Sequence, residues 1–327
     1  MEGLTRYKII KGEQRRIIEQ NKRLYEAASY GKTDIVKYLI EIGAEVDVSK
    51  ALYAAAGNNH VECLGFLIGH GANIEEEEPR DDFNTALQRA VKTNSLNATQ
   101  LLLKEGARID KVDAKGRSML MIAAEKGFSE MVKLLLQAGA DANQHNHDKE
   151  KGETRTSLSC ALAAGFPDAA LLLLHGTDLS CSNILNPVLK YAAVLGHVGI
   201  LKALLDKVGQ NQTFDIMKSV KTILSYVIEF GNTDALGEIL NIYKNRESIK
   251  AFLDDGQVLL TAVKTDKPDL LKILSPFINN EGRISNPIIE AIITRGQMDI
   301  LRILNYTFST PSIALIWRQY PTISLRI

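Results

Sequence analysis

Residues Asp113–Asn143 read DAKGRSMLMIAAEKGFSEMVKLLLQAGADAN. Their order is a unit: two small residues (Ala123-Ala124), two variable ones (Glu125-Lys126), a turn residue (Gly127), then a second apolar segment. In that segment Met131, Leu134 and Leu135 fall at i, i+3 and i+4, which lines up one buried stripe of a helix. Glycine at the turn suits a chain that leaves a helix through the left-handed region, where a Cβ is penalised.

The same unit recurs on both sides. Upstream it reads AASYGKTDIVKYLIEIGAEVD from Ala27, AAGNNHVECLGFLIGHGANI from Ala55 and AVKTNSLNATQLLLKEGARID from Ala90. Downstream it weakens to CALAAGFPDAALLLLHGTDL, YAAVLGHVGILKALL, YVIEFGNTDALGEIL, AVKTDKPDLLKIL and AIITRGQMDILRIL. The turn residues are Gly31, Asn59, Asn94, Gly127, Gly165, Gly196, Gly231, Asp266 and Gly296. Their spacing scatters around roughly 33 residues. Only Gly, Asn and Asp occupy the turn, and these are the types that tolerate a left-handed backbone.

The Asp113 copy resembles the ankyrin repeat almost throughout. Gly116 sits at the hairpin glycine, Ser118 stands where Thr is usual, and Met119 and Met121 replace the usual Pro and His. Ala123-Ala124 form the small pair, and Leu134-Leu135-Leu136 with Gly139-Ala140 complete the unit. The resemblance runs from Leu24 to Asn305. It implies an all-α fold: an ankyrin-repeat solenoid of about nine helix-turn-helix repeats, degenerate in its second half. There the GADxN ending gives way to linkers such as DKVGQNQTFDIMKSVKT and NIYKNRESIKAFLDDGQ, where extra helical turns fit. A different helical repeat, of the armadillo kind, is the alternative, more open for the second half. The expected divisions are a capping helix over 1–23, built around Ile9, Ile10, Ile17 and Ile18, the array over 24–305, and a tail or the start of a further element over 306–327.

Composition narrows the function classes. The chain has 327 residues with 39 basic and 39 acidic side chains, so formal net charge is zero and no global field draws it to nucleic acid or an anionic membrane. Cys63, Cys160 and Cys181 are odd in number and form no CxxC pair, which fits a reducing compartment. No apolar run approaches the ~20 residues a membrane helix needs. The N-terminal MEGLTRYKIIKGEQRR lacks a signal-peptide core. The expectation is a cytosolic monomer that binds neither nucleic acid nor membrane.

In such a fold each helix pair buries its apolar face only by stacking on its neighbours, which leaves an extended surface suited to a protein partner. The resemblance implies that the two residues after the small pair face the concave side. They form a strip: Ser29-Tyr30, Gly57-Asn58, Lys92-Thr93, Glu125-Lys126, Ala163-Ala164, Val194-Leu195, Glu229-Phe230, Lys264-Thr265 and Thr294-Arg295. Val194, Leu195 and Phe230 are apolar in adjacent repeats, as hot-spot anchors are; the alternative is that they pack beneath the long linkers. Tyr30, Lys126 and Arg295 complete the candidate partner-binding set, with Glu76 and Glu77 of the acidic run Glu75–Asp82. The polar stretch Gln144–Glu150 reads as a mobile finger loop.

Chemistry finds little support. His145 and His147 lack the further fixed ligands a metal needs, and no nucleophile motif surrounds Cys160, Cys181 or His175. There is no GxxxxGK[ST], no GxGxxG after a strand and no HExxH. The reading is a non-enzymatic interaction scaffold or adaptor without cofactor or metal, bound to a protein through its concave face and fingers. Its irregular repeats resemble those of host-directed effectors of intracellular bacteria and viral host-range proteins, so a secreted effector in a host cytosol is the expected setting. The rival readings are the targeting region of a larger enzyme and a structural spacer.

Overall fold

The turn residues decide the architecture. In the computed structural model, Gly31, Asn59, Asn94, Gly127, Gly165, Gly196 and Gly231 all have φ between 58° and 81°. Asn59 and Asn94 are the only non-glycine residues with positive φ among those described. The structure describes residues 2–277 apart from 43–46, 82–83, 149–151, 211–214, 244, 246, 254–255 and 266. Asp266, Gly296, Arg295 and the tail 306–327 lie outside the described residues.

The chain forms two units, 1–178 and 179–327. The first holds five helix pairs: α1 (Glu2–Ser29) with α2 (Thr33–Glu41), α3 (Val48–Gly57) with α4 (Val61–Gly69), α5 (Ala86–Lys92) with α6 (Leu96–Lys104), α7 (Met119–Glu125) with α8 (Ser129–Gln137), and α9 (Ser157–Ala164) with α10 (Pro167–Gly176). The odd-numbered helices pack in an inner row, each on the next, and the even-numbered helices form an outer row. Capping and first inner helix are one piece: α1 runs unbroken through position 23, and Ile18 is left exposed on it.

The inner row starts where the sequence supplies a cap. Thr85 and Gln88 form a capping box on α5, Thr156 and Ser159 another on α9, and the Ser118 hydroxyl accepts the Met121 N–H on α7. Each cap satisfies an amide that has no partner within its helix. The expected finger loop after α8 is instead an antiparallel hairpin of β1 (His145–Asp148) and β2 (Glu153–Thr156), with His145 opposite Thr156.

The second unit contains α11 (Ser182–Leu195) with α12 (Val198–Gln210), α13 (Ile216–Phe230) with α14 (Thr233–Tyr243), a lone α15 (Glu247–Leu253), and α16 (Gly256–Lys264) with α17 (Pro268–Leu274). α11 packs on α13 and α13 on α16, while α12 packs on α14 and α14 on α17. The two rows thus persist although the hairpin endings are gone. The linkers carry helix instead: α12 and α13 extend into the first, and α15 occupies the second.

The small pair explains the close approach of the inner helices. Ala27-Ala28, Ala55-Ala56, Ala123-Ala124 and Ala192-Ala193 are buried, as are the larger Ala90-Val91 and Val227-Ile228. The outer row is seated by the residue four after each turn. Cys63, Ala98, Met131, Ala169, Ile200, Ala235 and Leu270 are all within 1% of full burial. Ile35 holds that position in the first repeat, where no earlier outer helix covers it, and is 51% exposed.

Candidate partner-binding surface

In four described repeats the residue after the turn bonds back to the repeat before it. His60 Nε2 lies 3.0 Å from the Ser29 carbonyl, and Ser95 Oγ donates to the Gly57 carbonyl at 3.2 Å. In the second unit Asn232 Nδ2 donates to the carbonyls of Ala193 and Val194, and Lys267 Nζ to that of Gly231 at 2.8 Å. These bonds satisfy backbone groups at the end of the preceding inner helix and hold the strip residues beside them in place. They also leave no room for a side chain at Gly31 or Gly231. A Cβ on Gly31 would stand 2.7 Å from His60 Cγ, and one on Gly231 would stand 2.6 Å from Lys267 Cδ.

On this frame the strip is solvent-facing in every described repeat except at Gly57, which Arg89 covers. Val194 is 44% exposed and Phe230 40%, while Leu195 is half-buried. Val194 and Leu195 end α11, and Phe230 ends the adjacent α13. The Asn232 bond to the Val194 carbonyl ties the two helix ends together at 3.2 Å. Tyr30 is 71% exposed at the end of α1. Lys126 is exposed at the end of α7, its ammonium 5.6 Å from the centre of the Phe128 ring.

The acidic run is tied into the fingers. Lys111 Nζ lies 2.9 Å from a Glu77 oxygen and 3.4 Å from a Glu75 oxygen, and Glu75 accepts the Arg108 N–H at 2.8 Å. Glu77 is therefore engaged across neighbouring repeats, while Glu76 faces solvent. Sequence reasoning missed this because the pairing spans 34 positions.

It also missed two partly buried charge clusters in the first unit. Tyr53 donates its hydroxyl to Asp81, and Arg89 Nη1 lies 3.4 Å from the same carboxylate. Burial and the Asp81 bond push the Tyr53 phenol up from its usual range. Two inner-row positions further, Arg117 bonds Asp113 through Nε and Nη2 at 2.9 and 2.8 Å and Glu125 through Nη1 at 2.7 Å. Burial pushes the Asp113 carboxyl up, but the Arg117 N–H and guanidinium outweigh it and hold its pKa below the usual carboxylate value. The legible signal was an Asp four residues before an Arg at the finger tip.

Chemically reactive groups are muted. Burial pushes the Cys63 thiol up to about 11 and raises that of Cys160, so both stay protonated at neutral pH. Among the described residues no three His, Cys, Asp or Glu side chains gather as a metal site would need, and no helix is long and apolar enough to cross a membrane. His70 Nδ1 lies 2.8 Å from the Phe66 carbonyl, a terminal carbonyl of its own helix.

Comparison with known proteins adds the following. The family described as ankyrin repeats (3 copies) matches in overlapping windows, 10–78, 24–113, 52–146, 87–183 and 120–218, which together span more than half of the chain. The Ankyrin repeat and KH domain-containing protein mask-1 of Caenorhabditis elegans is 33% identical over 155 residues, 46% of this chain and 6% of its own length. The Ankyrin repeat domain-containing protein SAT10 of Stachybotrys chartarum is 27% identical over 261 residues, 78% of this chain and 13% of its own. The B-cell lymphoma 3 protein homolog of Mus musculus is 36% identical over 162 residues, 47% of this chain and 35% of its own. The chain therefore spans a minor part of each of these relatives.

Proposed function

Starting from a chain that belongs to the ankyrin-repeat family, we propose that this protein is a non-catalytic scaffold that binds a protein partner through its inner-helix strip, with Val194 and Phe230 as anchors. The carrying observation is the change of character along the strip. In the first unit the strip is mainly polar or small, whereas the ends of α11 and α13 expose an aliphatic and an aromatic side chain in neighbouring repeats. Both groups stay partly exposed, and the Asn232 bonds fix the backbone that presents Val194. Rigid apolar side chains on a fixed frame are what gives an interface its few energetically dominant contacts. Leu195, half-buried beside Val194 at the end of α11, joins them, and Tyr30, Lys126, Arg295, Glu76 and Glu77 are the remaining proposed partner contacts.

The test is affinity capture from eukaryotic lysate followed by mass spectrometry, with wild type beside a Val194→Asp/Phe230→Ala variant of unchanged helicity. A protein retained by wild type and lost by the variant supports the reading; equal capture by both refutes these anchors. The setting proposed is the cytosol, as a monomer, and on the irregular second-half repeats that of a host cell. A translocation reporter fused to the chain tests the last point, and failure to enter host cells would remove it.

A further inference from the structure

We propose that the inner row of the first unit is a second docking surface, for an extended protein segment that carries carboxylates beside a bulky apolar residue. Two hollows share Arg89 as a common wall. The smaller, of about 510 Å³, is lined by four cations, Arg89, Lys92, Arg117 and Lys126, and by one carboxylate, Glu125. That carboxylate is already engaged: Arg117 Nη1 lies 2.7 Å from it and Arg155 Nη2 3.6 Å. Arg89 is committed to Asp81, and Arg117 to Asp113 as well as Glu125. Lys92 and Lys126 have no carboxylate partner among the described residues. The hollow therefore presents two ammonium groups without a carboxylate partner beside cations that are already neutralised. Their chemistry complements carboxylate side chains, and opposite charge at such a place speeds encounter and fixes register.

The larger hollow, of about 850 Å³, supplies the apolar half. Its walls include Ile18, 68% exposed, Tyr25, 40% exposed, the exposed Pro79 and the buried Tyr53. Ile18 and Tyr25 are seven residues apart, so they share one face of α1. That face of α1 lines the hollow together with Tyr53 and Arg89 of the next inner helices. The Tyr53–Asp81–Arg89 cluster ties the floor of this hollow to the wall of the other, so the two seats keep a fixed separation. A nucleic acid fits less well. Glu78 and Asp81 line the apolar hollow, its own cations Lys22, Lys50 and Arg89 are paired with Glu26, Asp47 and Asp81, and the two remaining ammonium groups are few for a phosphate backbone.

This surface is built from other residues than the Val194–Phe230 patch, so either can fail alone. The experiment is selection of a phage-displayed random peptide library on the full chain, followed by anisotropy of the fluorescein-labelled winners. The expected winners pair Asp or Glu with Phe, Trp, Leu or Ile. They bind the Val194→Asp/Phe230→Ala variant as they bind wild type. They lose about tenfold in affinity on Lys92→Gln/Lys126→Gln and again on Ile18→Ser/Tyr25→Ser, with the thermal melts of both variants unchanged. Winners without acidic residues, full binding by the lysine variant, or displacement by a single-stranded RNA as effective as by unlabelled peptide would each overturn the proposal.

Discussion

Replacing Gly127 by Ala separates two physical costs that coincide at the turn. Gly127 has φ of +70°, so any Cβ there is disfavoured by about 1–2 kcal/mol. The new Cβ would also stand 2.6 Å from Cε1 and Cγ of Phe166, and closer still to Cδ1. The ring must move, and forcing such a shift in a packed contact costs about 1–3 kcal/mol more. Gly139 is the internal reference. Its φ is +90°, yet nothing lies within 4 Å of a Cβ built on it. Gly139→Ala thus bears the backbone term alone, and both substitutions gain the same unfolded-state entropy, about 0.4–1 kcal/mol. The expected order in urea unfolding followed by circular dichroism is wild type, then Gly139→Ala, then Gly127→Ala, with a gap of about 1–3 kcal/mol between the variants. Phe166→Ala is destabilising by itself, but added to Gly127→Ala it should recover most of that gap in a double-mutant cycle. Equal stability of the two glycine variants, or no coupling to Phe166, would refute the claim that Phe166 packs over the preceding repeat's turn at Gly127.

Other consequences follow from the same frame. Met131 and Ile35 share a repeat position but not its burial, so Met131→Ala should cost about 2–5 kcal/mol and Ile35→Ala well under half of that, both read from thermal melts. Asp113 titrates below its unfolded value, so its stabilisation is present above the unfolded carboxylate pKa of about 4 and is lost as pH falls through the lower folded pKa. Asp113→Asn should therefore be less stable than wild type at pH 7 by about 1–3 kcal/mol, with the gap closing below pH ~4 in urea melts across a pH series. His60→Ala should cost about 1 kcal/mol, since it removes the bond to the Ser29 carbonyl and uncovers Gly31.

Much of the fold was legible because the turn demands a backbone few residues accept. The choice of Gly or Asn marked seven helix ends that the structure places in the left-handed region. The small pair marked the inner row for the same reason: the helices approach where Ala123-Ala124 leave room. Local pattern could not show what lies across repeats. The finger after α8 looked polar and loose because its order comes from pairing His145 with Thr156, eleven positions on, and pairing of that kind has no signature in composition. Lys111 with Glu77, and Arg89 with Tyr53 and Asp81, are likewise tertiary facts. The strip residues could be enumerated from the repeat register. Which of them had charges to spare depended on partners that only coordinates reveal.

The most direct measurement of the central claim is hydrogen–deuterium exchange of the chain with and without its captured partner. The account predicts protection at the ends of α11 and α13, around Val194–Gly196 and Glu229–Gly231, with the outer helices α12 and α14 unchanged. Protection confined to α12 and α14, with the inner-helix ends exchanging as in the free protein, would contradict it.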